Sequence, residues 1–235
     1  MTLLALAIAP GLVICFYIFY KDMYNPEPIG KLLMTFILGA LVVIPAALIE
    51  QNAASYFDNT ILSTGIFAYG VVALAEEAGK FAVVRFYCYP KSSFDEPLDG
   101  IVYSVIASMG FATVENILYV QQNGFGTAIV RMFLSVPAHG SFAVLMGYYI
   151  GKAKFSTHGA ALLFFGLLIA VLFHGTFDFF LFLQKSPYVK PYVSDGLLFI
   201  GSVASFIIAI RLSKQLITHH QIISQQTFNN TSERG

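Results

Sequence analysis

The chain is 235 residues long, 57% hydrophobic and only 11% charged, with a mean hydropathy of +0.73 and no net formal charge. Soluble domains carry roughly 25% charged residues, so a water-facing globule is excluded, and bulk disorder with it. The neutral balance offers no basic patch, so no nucleic-acid partner is expected. In chain order, seven stretches meet or approach the roughly 20 apolar residues that a spanning helix needs. They are Thr2–Tyr20, Leu32–Ile49, Ile61 to Tyr87, Gly100–Val120, Thr127–Ile150, Ala160–Leu183 and Gly196–Leu212. The first lacks a basic leader, and its Ala5-Leu6-Ala7 triplet precedes the apolar run, so it reads as a retained helix and not as a signal peptide.

The expected fold is therefore an all-α polytopic membrane helix bundle of about seven transmembrane helices. Residues 1–212 form one integral-membrane domain, and 213–235, rich in Gln, Asn, Ser and Thr, form a mobile polar tail. Alternating loops place Lys21, Lys31, Lys80, Arg85, Lys91, Lys152, Lys154, Arg211, Lys214 and Arg234 on one side, and Arg131, Lys185 and Lys190 on the other. That asymmetry sets the N-terminus outside and the C-terminus in the cytoplasm. With no Trp, the interfacial aromatic role falls to 13 Tyr. Cys15 and Cys88 show no CxxC spacing and read as unpaired packing residues. Asp95, Glu96 and Asp99 in the turn-rich loop Pro90–Gly100 read as a wet surface, and His219 and His220 as a solvated pair in the tail.

The informative residues are the polar ones inside apolar runs: Glu76, Glu77, Lys80, Glu115, His139, His174 and Asp178. A charge at a helix centre costs roughly 2.5–3.5 kcal/mol on insertion scales, so these side chains should face one another or a wet cavity. In Glu76-Glu77-Ala78-Gly79-Lys80 both carboxylates lie within reach of one ammonium, at i,i+4 and i,i+3. A structural ion pair accounts for Lys80 and one glutamate; the second is left for proton transfer. Glu115-Asn116 pairs a charged acceptor with an amide, which also suits a helix–helix hydrogen bond. His139 follows Pro137, expected to loosen the middle of the fifth span, and Gly147 nearby permits close helix approach. His174 and Asp178 share a helix face, so the carboxylate can orient the imidazole. Such a set can activate water, with a carboxylate as base and a histidine orienting water or protonating a leaving amine. It can equally hold a metal on His139, His174 and a glutamate. HExxH, GxSxG and GxGD motifs are missing.

Glu76-Glu77-x-x-Lys80, Phe111-x-x-x-Glu115-Asn116, His139 with Gly147, and His174-x-x-x-Asp178 together resemble the successive motifs of the PrsW-type intramembrane proteases. These bacterial multi-pass enzymes are similar to the CAAX prenyl endopeptidase group. The resemblance implies a protease of the bacterial cell membrane that makes the first, extracytoplasmic (site-1) cut in a single-pass anti-sigma factor. Sigma-factor release under envelope stress, such as antimicrobial peptides, would follow. It implies Glu76, Glu77 and His174 as essential residues, with His139, Lys80, Glu115, Asn116 and Asp178 accompanying them. PrsW-type enzymes are described as metalloproteases, whereas the prenyl endopeptidases look glutamate-dependent without a metal; no cofactor is expected here, with zinc left open. The expected partners are the anti-sigma factor and the lipid bilayer. On this reading Glu76, with Glu77 as the alternative, is the base, His174 the residue that positions water or protonates the amine, and His139 with Asn116 the oxyanion stabilisers. Competing readings are a proton-coupled transporter or channel built on the same buried Glu, His and Asp residues, a non-enzymatic sensor or scaffold, and a prenyl-protein endopeptidase facing the cytoplasm.

Overall fold

A computed structural model describes residues 2–232. The chain forms seven rods: α1 (Thr2–Lys21), α2 (Ile29–Ala54), α3 (Ile61–Cys88), α4 (Pro97–Phe133), α5 (Ser135–Lys154), α6 (Gly159–Leu183) and α7 (Asp195–Ser232). No strand occurs among the described residues. Six apolar segments are long enough to cross a membrane, and one of them, Pro97–Lys154, contains both α4 and α5. Large side chains such as Phe16, Leu62 and Phe86 point outward and exposed, as a lipid solvent permits and water does not.

The centre of the bundle is α4, buried along most of the run from Leu98 to Thr113. It packs antiparallel on α5 at very short range: a Cβ on Gly100 would lie 2.4 Å from the Gly147 carbonyl oxygen. Only glycine lets the two backbones meet there, in the manner of small-residue contacts in membranes. Side chains then bond carbonyls across helices. Ser108 donates to the His139 carbonyl (3.0 Å), Ser202 to Phe177 (2.9 Å), Ser213 to Ser141 (3.0 Å) and Asn116 to Ala7 (2.9 Å). In hydrocarbon these otherwise unsolvated groups act as interhelical ties.

Several boundaries differ from the sequence reading. The fifth span does not run Thr127–Ile150; the chain turns at Leu134 (φ −119°, ψ −67°) and α5 starts at Ser135. Pro137 thus lies in the first turn, where a missing N–H leaves no bond unmade, and it does not loosen a helix centre. Upstream, α4 breaks at Gly124, whose φ of 77° lies in the left-handed region. The polar segment from Ser213 onward continues α7 as helix to Ser232, with Arg234 outside the described residues. His220 there is 1% exposed and stacks on Tyr148 at 4.3 Å, so it is not solvated. Lys80 is fully buried and marks no loop.

Candidate active site

Four rods bring the polar side chains to one place. In α3, the α-helical stretch Leu74–Val83 lies between two wide π-helical stretches, Ile66–Ala73 and Val84–Cys88. Such wide turns are rare and often occur at functional sites; here they flank the turn that presents Glu76, Glu77 and Lys80. The Lys80 ammonium donates to Glu76 Oε2 (3.0 Å) and Glu77 Oε1 (2.8 Å), with all three residues buried. It also sits 4.0 Å from the centre of the Phe111 ring, which adds a cation–π contact and gives the Phe111 of the fourth-span motif a task.

His139 enters from α5. Its Nδ1 is 3.3 Å from the Lys80 ammonium and its Nε2 is 3.1 Å from Glu115 Oε2. An ammonium only donates, so Nδ1 accepts and Nε2–H donates to Glu115. His174 enters from α6 with Nδ1 2.9 Å from Glu77 Oε1 and Nε2 3.2 Å from Asp178 Oδ2. Both of its nitrogens face carboxylate oxygens, an arrangement satisfied when both carry hydrogen. The two imidazoles meet edge to face, centroids 5.0 Å apart, and Phe142 stacks on His174 at 5.4 Å. Glu76 Oε2 is 3.9 Å from His174 Nε2.

A cavity of about 420 Å³ opens over this cluster, lined by Glu76, Glu115, His139, His174 and Asp178. Its other walls carry Glu50, Gln51, Arg131 and Lys185, which belong to the end of the bundle where α2 finishes and α7 begins. Glu77 does not line it, and its Oε2 is buried without a partner.

Residues 27–210 match the PrsW family of intramembrane metalloproteases. The chain belongs to the PrsW family of bacterial membrane proteases. It is 40% identical to Protease PrsW of Geobacillus kaustophilus over 185 residues, 78% of this chain and 81% of the relative. Identity to Protease PrsW of Bacillus subtilis is 37% over 187 residues, covering 76% and 82%, and to Protease PrsW of Clostridioides difficile 38% over 190 residues, covering 77% and 80%. No solved structure matches the chain.

Glu76, Glu77, Lys80, Glu115, His139, His174 and Asp178, all singled out in the sequence, meet at one place, and two further residues join them. Arg131 reaches back past the break at Gly124 to Glu115 Oε2 (2.6 Å) and Asn116 Oδ1 (2.9 Å). Glu50, in the last turns of α2, lines the cavity opposite the motif residues. The sequence signal for each was an ionisable residue at the edge of an apolar run. Asn116, expected to face an oxyanion, holds Ala7 and Arg131 instead and does not line the cavity.

The donor set of this PrsW site fits a divalent metal. Glu76, Glu77, His139 and His174 each offer one ligand atom, all within 4.8 Å of one another, and the unpartnered Glu77 Oε2 has a lone pair to give. Mixed imidazole and carboxylate ligation suits zinc. Four carboxylates here (Glu76, Glu77, Glu115, Asp178) face two permanent cations, Lys80 and Arg131. Histidine protons or a divalent ion make up that shortfall.

Proposed function

We propose that this chain makes the site-1 cut in a single-pass membrane anti-sigma factor on its extracytoplasmic side, by attack of water, and so leads to sigma-factor release under envelope stress. The observation that carries the reading is the convergence of Glu76, His139, His174 and Asp178 on one cavity at the end of the bundle that holds the N-terminus. The excess of basic residues at the other end argues that the cavity faces outward. An apolar core around Ile101, Val105, Met109 and Met146 fills the bundle below the site, which supports a hydrolase over a transporter with a path to the far side.

Glu76 is the base. It lines the cavity, where a water can reach it, while Glu77 lies behind and shares the Lys80 ammonium with it. Lys80 holds both carboxylates in fixed positions, and Phe111 backs the ammonium. The base takes a proton from water as oxygen attacks the scissile carbonyl carbon. His174, oriented by Asp178 and Glu77, gives a proton to the leaving amide nitrogen. His139, held between the Lys80 ammonium and Glu115, sits beside it at the cavity wall and fixes the position of both. Glu76, Glu77, His139 and His174 are the residues that would hold a metal, and zinc bound there would supply Lewis acidity toward water and carbonyl.

The test is co-expression with membrane-anchored anti-sigma factors, followed by assays of purified Glu76→Gln, Glu77→Gln and His174→Ala with and without chelator. A truncated product lost in His174→Ala and in at least one glutamate variant is expected. Full cleavage by both glutamate variants ends the glutamate mechanism, and loss on chelation with recovery on added zinc assigns the metal.

A further inference from the structure

At the start of α4 lies a second group of buried acids: Glu96 and Asp99 from the loop read from sequence as a wet surface, and Asp22 and Glu27 from the connection between α1 and α2. Asp22 and Asp99 are 0% exposed, Glu27 3% and Glu96 6%. One oxygen of each aspartate has a backbone partner. Asp22 Oδ2 accepts from the Glu27 N–H (2.8 Å), and Asp99 Oδ2 from the Asp95 and Glu96 N–H groups (2.8 Å each). Glu96 Oε1 accepts from Ser224 on α7 (2.7 Å), and Glu27 from the Tyr103 hydroxyl. The remaining aspartate oxygens, Asp22 Oδ1 and Asp99 Oδ1, are buried with no partner. Asp22, Glu96 and Asp99 nevertheless bring one oxygen each to within 4.8 Å of the others.

Among the described residues no lysine or arginine forms an ion pair with these three acids. The Lys154 ammonium, which feels the Asp99 charge, is taken by the Tyr89 and Lys91 carbonyls, and Lys31 lies toward Glu27. Helix capping explains one oxygen of Asp99 and a loop hydrogen bond one oxygen of Asp22; the other oxygen of each is left without a counterpart.

We infer that Asp22, Glu96 and Asp99 form a binding site for a hard divalent cation, Ca²⁺ or Mg²⁺. The donors are oxygen only, as those ions require, and the two orphaned oxygens supply the free lone pairs. The ion would tie the end of α1 to the start of α4 and, through Ser224 on Glu96, to the far part of α7. Sixteen residues of helix separate Asp99 from Glu115, about 24 Å at the α-helical rise, so the site is distinct from the catalytic cluster.

The experiment uses the full chain in detergent micelles, titrated separately with Ca²⁺ and Mg²⁺ by calorimetry. Asp22→Asn and Asp99→Asn keep an oxygen for the capping N–H groups and remove the charge; each is expected to weaken binding at least tenfold. A Glu76→Gln, His174→Ala double variant is expected to bind as the wild type does. No binding by the wild type, or undiminished binding by both Asn variants, overturns the inference. Should the Asn variants fold poorly, Tb³⁺ gives an independent reading, because the chain has no Trp and emission must be sensitised by tyrosine. Emission that Ca²⁺ displaces and Tyr103→Phe dims supports the site; emission indifferent to both overturns it.

Discussion

The two ends of the bundle, both reached by α4, carry clustered carboxylates in opposite circumstances. Near one end, Glu115 joins Glu76, Glu77 and Asp178, and this group faces Lys80, Arg131 and two imidazoles beneath an open cavity. Near the other, Asp99 joins Asp22 and Glu96 and faces backbone N–H groups and hydroxyls. The first cluster sets four carboxylates against two cations and two imidazoles, and its face opens to the cavity. The second is held by the same backbone economy that caps a helix, and among the described residues forms no ion pair with a lysine or arginine. What separates a reactive acid cluster from a structural one is thus the kind of partner and the access of water, not the number of carboxylates.

Substitutions can break the comparison at the reactive end first. Glu76→Gln and His174→Ala remove proton transfer and should each lower cleavage by roughly 10²–10⁴-fold in a purified assay. Cleavage by Glu76→Gln at the wild-type rate would show that the cavity-facing carboxylate is a bystander. Asp178→Asn leaves the His174 ring in place with a weaker partner, and a loss of about 10–100-fold in kcat with an altered pH profile is expected. Lys80→Met leaves two buried carboxylates without their ammonium and should destabilise the protein by about 3–5 kcal/mol, measured by denaturant unfolding in micelles. If Lys80→Met is as stable as wild type, the glutamates do not depend on the ammonium and the balance described here is wrong. Asn116→Ala sharpens the contrast from the other side, since the amide ties Ala7 and Arg131. It should cost roughly 1–3 kcal/mol of stability while cleavage by the folded fraction changes little.

The smallest effect concerns the Asp22 end. The Asp22 carboxyl is raised from an ordinary 3.8 to about 8 in the folded protein. The folded state therefore holds a proton that the unfolded chain releases, and this group's stabilisation is full below pH 3.8 and lost as pH rises through about 8. Without divalent ions, the difference in Tm between wild type and Asp22→Asn should change across that window, while Glu27, Glu96, Asp95 and Asp99, with Lys31 and Lys154 nearby, stay common to both. Added Ca²⁺ or Mg²⁺ should raise the wild-type Tm more at pH 8 than at pH 6, because protons compete with the ion.

Pairs within one helix were legible in the sequence. Glu76 and Glu77 with Lys80, and His174 with Asp178, follow from i,i+3 and i,i+4 spacing alone. The apolar runs likewise announced the rods. Contacts between helices were not legible: Lys80 with His139, His174 with Glu77 and Glu115 with Arg131 depend on how the rods pack. Pro137 was misplaced because the start of α5 is set by the turn at Leu134, which no local residue marks. The acids around Glu96 read as wet because the helix covering them carries Gln, Asn, Ser and Thr. That composition suggests a tail until Ser224 is seen to bond Glu96 and His220 to stack on Tyr148.

One consequence rests on Gly124, the only positive-φ residue among those described. A side chain there would meet no neighbour, yet alanine would resist the left-handed backbone, by roughly 1–2 kcal/mol. The direction in which the chain leaves that hinge decides whether the Arg131 guanidinium reaches Glu115 at all. A residue with no functional group thereby governs the polarity of the cavity that Glu76, Glu115 and His174 line.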